Sequence, residues 1–216
     1  MEKHQAVGCA VIGYGGMGGW HCDKIRKDIA GAELIGTYDI KPDRCAAAEK
    51  KGIHAFASRE ELLADERIQL VTVATPNDVH KEIVVAALEA GKNVICEKPC
   101  ALSSADLEEM IAASRKAGKL LTAHQNRRWD EDYLTAKKII DENMLGRVYN
   151  IESRVQGDRG VPGDWRNRKA QGGGMLLDWG VHLLDQVLML KEKQRLVSVY
   201  AHLTFITSDE VDDGFR

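Results

Sequence analysis

A glycine-rich segment near the start of the chain limits the possible folds more than any other feature. Residues 11–18 read Val-Ile-Gly-Tyr-Gly-Gly-Met-Gly and contain the pattern G-x-G-x-x-G. An apolar run precedes this segment, and a helix-compatible stretch follows it. In that setting Gly13 permits a tight turn, Gly15 lets the backbone approach a pyrophosphate, and Gly18 lets the helix pack on the strand. The pattern predicts a dinucleotide site, with a purely structural glycine turn as the alternative.

An acidic residue follows the second predicted strand. Asp39 comes about 20 residues after the glycine-rich segment, where a carboxylate can bind both ribose hydroxyls of an adenosine. Because a carboxylate repels a 2′-phosphate, Asp39 favours NAD over NADP. Lys41 and Arg44 lie close by in sequence and weaken that preference, so NADP stays possible.

Strand and helix signals alternate through residues 1–123 and then stop alternating. The first part predicts an α/β domain with a parallel sheet, a Rossmann dinucleotide-binding domain. Residues 124–216 predict the opening of a second, α+β domain that is incomplete. Strands are predicted over 6–12, 33–38, 53–56, 70–74, 93–96, 120–123, 147–155 and 195–207, and helices over 16–29, 42–50, 77–90, 103–117, 128–143 and 175–190, with a further helix capped by Ser58 and Glu61.

Composition and charge exclude several classes of protein. With 44% hydrophobic and 29% charged residues the chain is typical of globular proteins, and its net charge of −3 argues against a nucleic-acid-binding module. It has no apolar run long enough to span a membrane and no apolar core of a signal peptide, so we expect a cytoplasmic protein. Its five cysteines include no C-x-x-C pair and predict reduced thiols; no ligands cluster at metal-site spacings, so no metal site is expected.

Two motifs follow predicted strands at the edge where parallel sheets bind ligands. Thr75, Pro76 and Asn77 follow one strand and can cap a helix, contact a cofactor or do both. Glu97-Lys98-Pro99 follows the next strand. Lys98 can polarise a carbonyl group or share a proton there, whereas a solvated surface lysine is the alternative.

A histidine with two acidic neighbours marks the second half of the chain. Asp178, His182 and Asp185 stand at positions i, i+4 and i+7, which places them on one face of the predicted helix. Imidazole has the pKa suited to moving a hydroxyl proton, although a buried core histidine is the alternative. Upstream, Trp165 and Arg166 are either site residues or a packed aromatic ring beside a solvated charge.

Taken in order, these segments resemble the glucose–fructose oxidoreductase, inositol dehydrogenase and MocA-like (Gfo/Idh/MocA) oxidoreductase family. The resemblance implies a Rossmann domain followed by an α/β domain with an open, mainly antiparallel sheet. Members are considerably longer, so we expect the second domain to be incomplete here. A homodimer or homotetramer, with no nucleic-acid or membrane partner, is also expected. The matching segments are Gly13–Gly18, Ala74–Asn77 with His80, Glu97–Pro99, Asn126–Arg128, Trp165–Arg166 and the run 172–185.

The resemblance also assigns functional residues. It implies that Lys98, Asp178 and His182 are catalytic: His182 takes the hydroxyl proton, Lys98 hydrogen-bonds the same oxygen, and Asp178 orients the substrate or His182. Motif and resemblance together predict these cofactor-binding residues: Gly13, Tyr14, Gly15, Gly16, Met17, Gly18, Asp39, Ile40, Thr75, Pro76, Asn77, His80, Glu97, Lys98, Asn126, Trp165 and Arg166.

The expected function is therefore that of an NAD(P)-dependent oxidoreductase. It would transfer hydride between a nicotinamide cofactor and a secondary alcohol or ketone of a sugar, polyol or inositol-like substrate. Two alternatives stay open, an NAD-dependent glycosidase of the same fold and a non-catalytic NAD(P)-sensing regulator.

Overall fold

The computed structural model divides into two compact units, Met1–His124 and Gln125–Arg216. It describes residues 6–158, 160–192 and 194–216. The predicted absence of a signal peptide concerns residues 1–5, which lie outside the described residues.

The first unit is an α/β layer structure around one parallel sheet. Its sheet order is β2-β1-β3-β4-β5, which confirms the predicted fold class. The elements are β1 (Val7–Ile12), α1 (Gly16–Lys27), β2 (Ala32–Tyr38), α2 (Pro42–Lys50), α3 (Arg59–Ala64), β3 (Leu70–Val73), α4 (His80–Glu89), β4 (Asn93–Glu97), α5 (Ser104–Ala117) and β5 (Leu121–His124).

The predicted strand over 53–56 is wrong in extent. Only Ala55 pairs, as a single bridge to Thr37 beside β2. The Thr37 N–H donates to the His54 carbonyl and the Phe56 N–H donates to the Thr37 carbonyl, both at 2.9 Å. The chain then turns into α3, which leaves no room for a longer ladder.

Both faces of the sheet are buried, as a parallel sheet requires. Along β1 the side chains alternate: Ala10 and Ile12 join one apolar cluster, whereas Cys9 and Val11 join the other. The strand order reverses beside β1, between β2 on one side and β3 on the other. At such a reversal the carboxyl ends of the strands border a crevice, which is where ligands bind in open α/β sheets.

The predicted cap of α3 by Ser58 and Glu61 is confirmed. The Ser58 hydroxyl accepts the Glu61 N–H at 3.0 Å, and Glu61 in turn accepts the Ala57 N–H. Ser103 caps α5 in the same way through Asp106, and Gly118 ends that helix with φ of 62°. These contacts satisfy backbone groups that a helix end leaves without partners.

The second unit has shorter elements than the sequence predicts. They are a 3₁₀ turn (Asn126–Trp129), α6 (Glu131–Asp141), 3₁₀ turns at Trp165–Asn167 and Lys169–Gln171, a π-helical turn (Leu176–Gly180), α7 (Val181–Leu190), β6 (Leu203–Thr204) and β7 (Gly214–Phe215). Strands β6 and β7 pair antiparallel, which agrees with the predicted antiparallel sheet.

Three predicted elements of this unit need correction. The helix over 128–143 starts later, because Asp130 is extended, with φ of −66° and ψ of 137°. The strand over 147–155 does not form, and the strand over 195–207 reduces to β6. A strand needs a neighbouring segment for its backbone hydrogen bonds. Within residues 195–207, β7 pairs only with Leu203 and Thr204. In the described part of the chain, no helix has both the length and the apolar character to cross a membrane.

Candidate cofactor site and active-site residues

The glycine-rich loop joins the carboxyl end of β1 to α1 through close backbone contacts. Gly13 has φ of 94°, and its N–H donates to the Tyr38 carbonyl at 2.7 Å. A Cβ atom on Gly18 would lie 1.7 Å from the Gly13 carbonyl oxygen. Any side chain at Gly18 would therefore push α1 away from β1, as the motif predicts.

The outer side of the same loop is open. Gly15 is the N-cap of α1 and has no side chain to occupy the first N–H groups of the helix. Gly16 and Met17 form the first helical turn, and a Cβ atom on Gly16 would meet no described atom within 4 Å. A helix N-terminus with accessible N–H groups binds phosphate, so the loop fits a pyrophosphate.

Asp39 is buried at the carboxyl end of β2 and is held from three directions. It accepts the Tyr14 N–H at 2.7 Å and the Lys41 N–H at 2.9 Å, and Arg44 Nη1 lies 3.3 Å from its Oδ2. Two carboxylate oxygens offer about four acceptor positions, so capacity remains for ribose hydroxyls. The Arg44 guanidinium also lies near Gly15, which places a positive charge beside the glycine-rich loop. Ile40, the next residue, is 83% exposed.

His80 ties together the turns that follow β3 and β4. It is fully buried, and its ring nitrogens lie 2.9 Å from the Pro99 carbonyl and 3.0 Å from the Thr75 carbonyl. Burial lowers the pKa of His80, although the two carbonyls act in the opposite direction. His80 thus connects the turn after β3 to the turn after β4 through hydrogen bonds. Pro76 opens a 3₁₀ turn with the buried Asn77.

The E-K-P motif begins at the end of β4. Glu97 is the last residue of that strand, and its Oε2 accepts the Lys98 backbone N–H at 3.3 Å. The half-buried Lys98 is joined to Pro99 by a cis peptide bond. All strands of the sheet are parallel, so this motif, Asp39 and the glycine-rich loop lie along the same edge.

Glu97 is the centre of a histidine–glutamate–histidine cluster that the sequence did not predict. Its Oε1 lies 2.7 Å from His21 Nε2 on α1 and 2.9 Å from His124 Nδ1 at the end of β5. Burial alone would raise the pKa of Glu97, but hydrogen bonds from His124 and His21 overcome it and lower the pKa to about 2. The carboxylate is therefore ionised although it is buried.

Two histidines and a carboxylate are also a zinc ligand set, yet these distances are those of hydrogen bonds. Atoms about 2.1 Å from a tetrahedral zinc ion lie about 3.4 Å apart, whereas Glu97 Oε1 is only 2.7 and 2.9 Å from the two nitrogens. We describe the cluster as a hydrogen-bonded carboxylate. Short sequence spacings could not reveal it, because its members come from three separate elements.

In the second unit His182 is buried at the start of α7. Its Nδ1 lies 3.2 Å from the side-chain oxygen of Gln125, the residue before Asn126. An amide oxygen accepts hydrogen bonds, so this contact fits a proton on Nδ1. The Trp179 ring lies against the imidazole with a centroid distance of 6.1 Å.

The two acidic neighbours of His182 each have an arginine partner. Asp178 lies 3.5 Å from Arg166 Nε, and Arg166 stacks on Trp165 at 4.5 Å. Asp185 instead accepts two hydrogen bonds from Arg128, at 2.8 and 2.6 Å. Trp165, Arg166 and Asp178 are thus brought together within this unit.

A residue that the sequence analysis missed supports this segment. Asp212 accepts the Leu176 N–H at 2.8 Å, and its carbonyl accepts the Met175 N–H. A Cβ atom on Gly174, which has φ of 104°, would lie 2.2 Å from the Asp212 carboxylate. Asp212 therefore caps the π-helical turn that carries Asp178, and the preceding glycine run allows its approach.

Comparison with known proteins agrees with this geometry. A sequence model described as "Oxidoreductase family, NAD-binding Rossmann fold" (GFO_IDH_MocA) matches residues 7–125. The model of the GFO/IDH/MocA C-terminal domain matches residues 133–216. The predicted NAD-type cofactor is thus confirmed at the level of the family.

The chain is also similar to individual members of known sequence and structure. The chain is 38% identical over 132 residues to the scyllo-inositol 2-dehydrogenase (NADP(+)) IolW of Bacillus subtilis. The aligned segment covers 61% of this chain and 37% of that protein. It is 30% identical over 195 residues to an inositol 2-dehydrogenase of Salmonella typhimurium, 88% of this chain and 56% of that protein. The crystal structure of an NAD-binding protein from Listeria innocua superposes with a TM-score of 0.91 at 45% identity, covering 98% of this chain and 62% of that one. The chain spans between 37% and 56% of the length of such curated relatives.

Proposed function

Because the chain belongs to the Gfo/Idh/MocA oxidoreductase family, we propose that the protein oxidises a secondary alcohol of a sugar, polyol or inositol-like substrate, or reduces the corresponding ketone, with NAD. The observation that carries this proposal is the shared sheet edge of the first unit. There the phosphate-binding loop, the buried Asp39 carboxylate and Lys98 follow parallel strands. Such an edge is where α/β proteins bind dinucleotides.

The cofactor assignment follows from the charges at that edge. The α1 N-terminus would hold the pyrophosphate, and Asp39 would accept the adenosine ribose hydroxyls, which favours NAD. Arg44 supplies a positive charge that would tolerate NADP, the cofactor named for the Bacillus subtilis relative. When bound, the nicotinamide supplies the hydride acceptor.

The chain's own residues would handle the substrate proton and orient the reacting carbon. His182 would take the hydroxyl proton, and the contact of its Nδ1 with the Gln125 side-chain oxygen would orient the ring. Lys98 would hydrogen-bond the reacting oxygen and stabilise its developing negative charge. Asp178, beside Arg166, would orient the substrate. The inositol dehydrogenase relatives support cyclic polyols as the first substrates to test.

Titration of the protein with NADH and NADPH tests the cofactor assignment. Energy transfer from the tryptophans to the bound nicotinamide reports binding, and we expect tighter binding of NADH. Asp39→Ala should weaken NADH binding by about tenfold or more, because the ribose hydroxyls lose a charged acceptor. Asp43→Ala is the matched control, since this exposed carboxylate opens α2 a few residues away. Equal effects of the two changes would contradict the role of Asp39.

Turnover with a polyol panel tests the chemistry. His182→Ala and Lys98→Ala should each lower kcat by about 100-fold or more while NADH binding persists. His202→Ala and Lys116→Ala, at exposed positions, are the controls. Full turnover in a folded variant would remove that residue from the mechanism. Binding without turnover of any polyol would instead favour a sensor, and release of free sugar without net NADH would favour a glycosidase.

A further inference from the structure

We propose that Cys96 and Cys100 are a peroxide-sensitive thiol pair that closes into an intramolecular disulfide across the E-K-P motif. The two cysteines enclose Glu97, Lys98 and Pro99. Their oxidation would modify the loop that carries Lys98, and its consequence for turnover rests on the proposed function above.

The backbone brings the Cys96 thiol against the main chain of Cys100. Cys96 lies in β4 and is fully buried, whereas Cys100 is half-buried in the loop beyond it. The Cys96 thiol lies 3.8 Å from the Cys100 carbonyl oxygen. Each of the two thiols also shifts the pKa of the other. The loop thus turns back on the strand, which is the first requirement for a bond between the two sulfurs.

The two thiols differ in reactivity. The interaction with Cys96 lowers the pKa of Cys100, although burial opposes it. The same interaction, together with burial, raises the pKa of Cys96. Since the thiolate is the nucleophile, the more exposed Cys100 would react first. Its oxidation removes the negative charge that holds the Cys96 proton, and this favours the second step.

The other three cysteines have no such arrangement. Burial raises the pKa of Cys9, and it raises that of Cys22 to about 12. The Cys45 thiol donates to the Asp39 carbonyl at 3.2 Å. No hydrogen bond among the described residues joins any of these three to a second thiol. Cys96 and Cys100 are therefore the pair that a peroxide can convert into a disulfide.

The proposed oxidation balances with hydrogen peroxide or an organic hydroperoxide as oxidant. The Cys100 thiolate attacks the peroxide oxygen, the O–O bond breaks, and a sulfenic acid forms with release of water or an alcohol. Cys96 then attacks the Cys100 sulfur, and its proton leaves with the sulfenic hydroxyl as water. The two thiols lose two electrons, and the peroxide is reduced. A dithiol reductant reverses the reaction.

Mass spectrometry of the whole chain tests this proposal without any need for enzyme activity. The protein is treated with hydrogen peroxide, denatured, alkylated with N-ethylmaleimide and digested with trypsin. Trypsin does not cleave before Pro99, so both cysteines stay in one peptide, Asn93–Arg115. We expect that peptide to lose two hydrogen atoms and to take no label, and dithiothreitol to restore both labels. With increasing time in peroxide, Cys96 and Cys100 should become resistant to alkylation about tenfold faster than Cys45.

Single variants separate the two steps. In Cys96→Ser we expect Cys100 to stop at a sulfenic acid that dimedone traps, and in Cys100→Ser we expect Cys96 to keep its label. Cys45→Ser is the control and should leave the disulfide unchanged. Full labelling of both cysteines after peroxide would overturn the proposal, as would oxidation of Cys100 to a sulfinic acid beside a free Cys96.

Failure of the two proposals can be told apart. A disulfide that forms in a protein without dehydrogenase activity would support the proposed thiol pair and contradict the proposed function. Normal turnover in a protein whose thiols are still alkylated after peroxide treatment would support the proposed function and contradict the proposed thiol pair. If both hold, peroxide should lower kcat in the wild-type protein but not in Cys100→Ser.

Discussion

The two units differ in how well they cover their apolar side chains. In the first, Val71 on β3 and Leu88 on α4 have no solvent exposure. In the second, Val197 and Tyr200 are 85% and 86% exposed, although they belong to a run with strand-like sequence. Each inner strand of the first unit has a hydrogen-bonded neighbour on both sides and a helix layer against each face. An apolar, β-branched sequence forms a strand only where such neighbours exist.

A pair of leucine truncations would test this contrast and should produce the largest effect. Leu88→Ala should lower the free energy of unfolding of the first unit by about 2–5 kcal/mol, because it removes a fully buried side chain and leaves a cavity. Leu196→Ala, at a side chain 62% exposed, should change stability by no more than about 0.5 kcal/mol.

Urea denaturation gives the two free energies, and hydrogen exchange assigns each loss to its unit. Similar losses for both variants would show that the run around Leu196 is packed in solution, and the contrast would then fail.

The buried carboxylate of the first unit should make it sensitive to acid. Because the pKa of Glu97 is lowered to about 2 when folded, its ionised form stabilises the folded state. That contribution is complete above about pH 5 and is lost as the pH falls towards about 2. It amounts to about 3 kcal/mol, so Glu97→Gln should destabilise the first unit by a similar amount at neutral pH.

Denaturation of both proteins as a function of pH measures this effect. The difference between wild type and Glu97→Gln should shrink as the pH falls, and the exposed Glu108→Gln on α5 should show no such change. A difference that stays constant down to about pH 2 would disagree with an ionised Glu97.

The smallest effect is expected for an ion pair of the second unit. Asp185→Asn removes the paired contact with Arg128, whose side chain is 44% exposed. We expect a loss of about 1 kcal/mol or less, since partly solvated ion pairs contribute little. NADH binding should stay unchanged, and Asp141→Asn, which removes a helical ion pair with Lys137, should cost even less. Weakened NADH binding in Asp185→Asn would contradict a purely local role for this ion pair.

Much of the first unit was predictable because its signals are local. The order of strands and helices, the cap at Ser58, and the close approach at Gly13 and Gly18 follow from neighbouring residues. The predicted position of Asp39 after β2 follows from the same pattern. The roles of Lys98, Asp178 and His182 remain predictions for turnover experiments.

Long-range arrangements were not predictable in the same way. No spacing in the sequence indicates that His21, Glu97 and His124 meet, because three elements of the sheet and its helix layer bring them together. The caps that Asp212 supplies to the π-helical turn, and the separate arginine partners of Asp178 and Asp185, have the same origin. The helical spacing of the acidic residues did not reveal these partners.

Backbone conformation and periodicity act over a few residues, so the amino-acid order alone establishes the Rossmann pattern, the glycine-rich turn and most helix ends. Strand formation and the ionisation of a buried group depend on partners from distant parts of the chain. The folded structure therefore determines that residues 195–207 contribute only Leu203–Thr204 to a sheet. It also determines that Glu97 stays charged between two histidines.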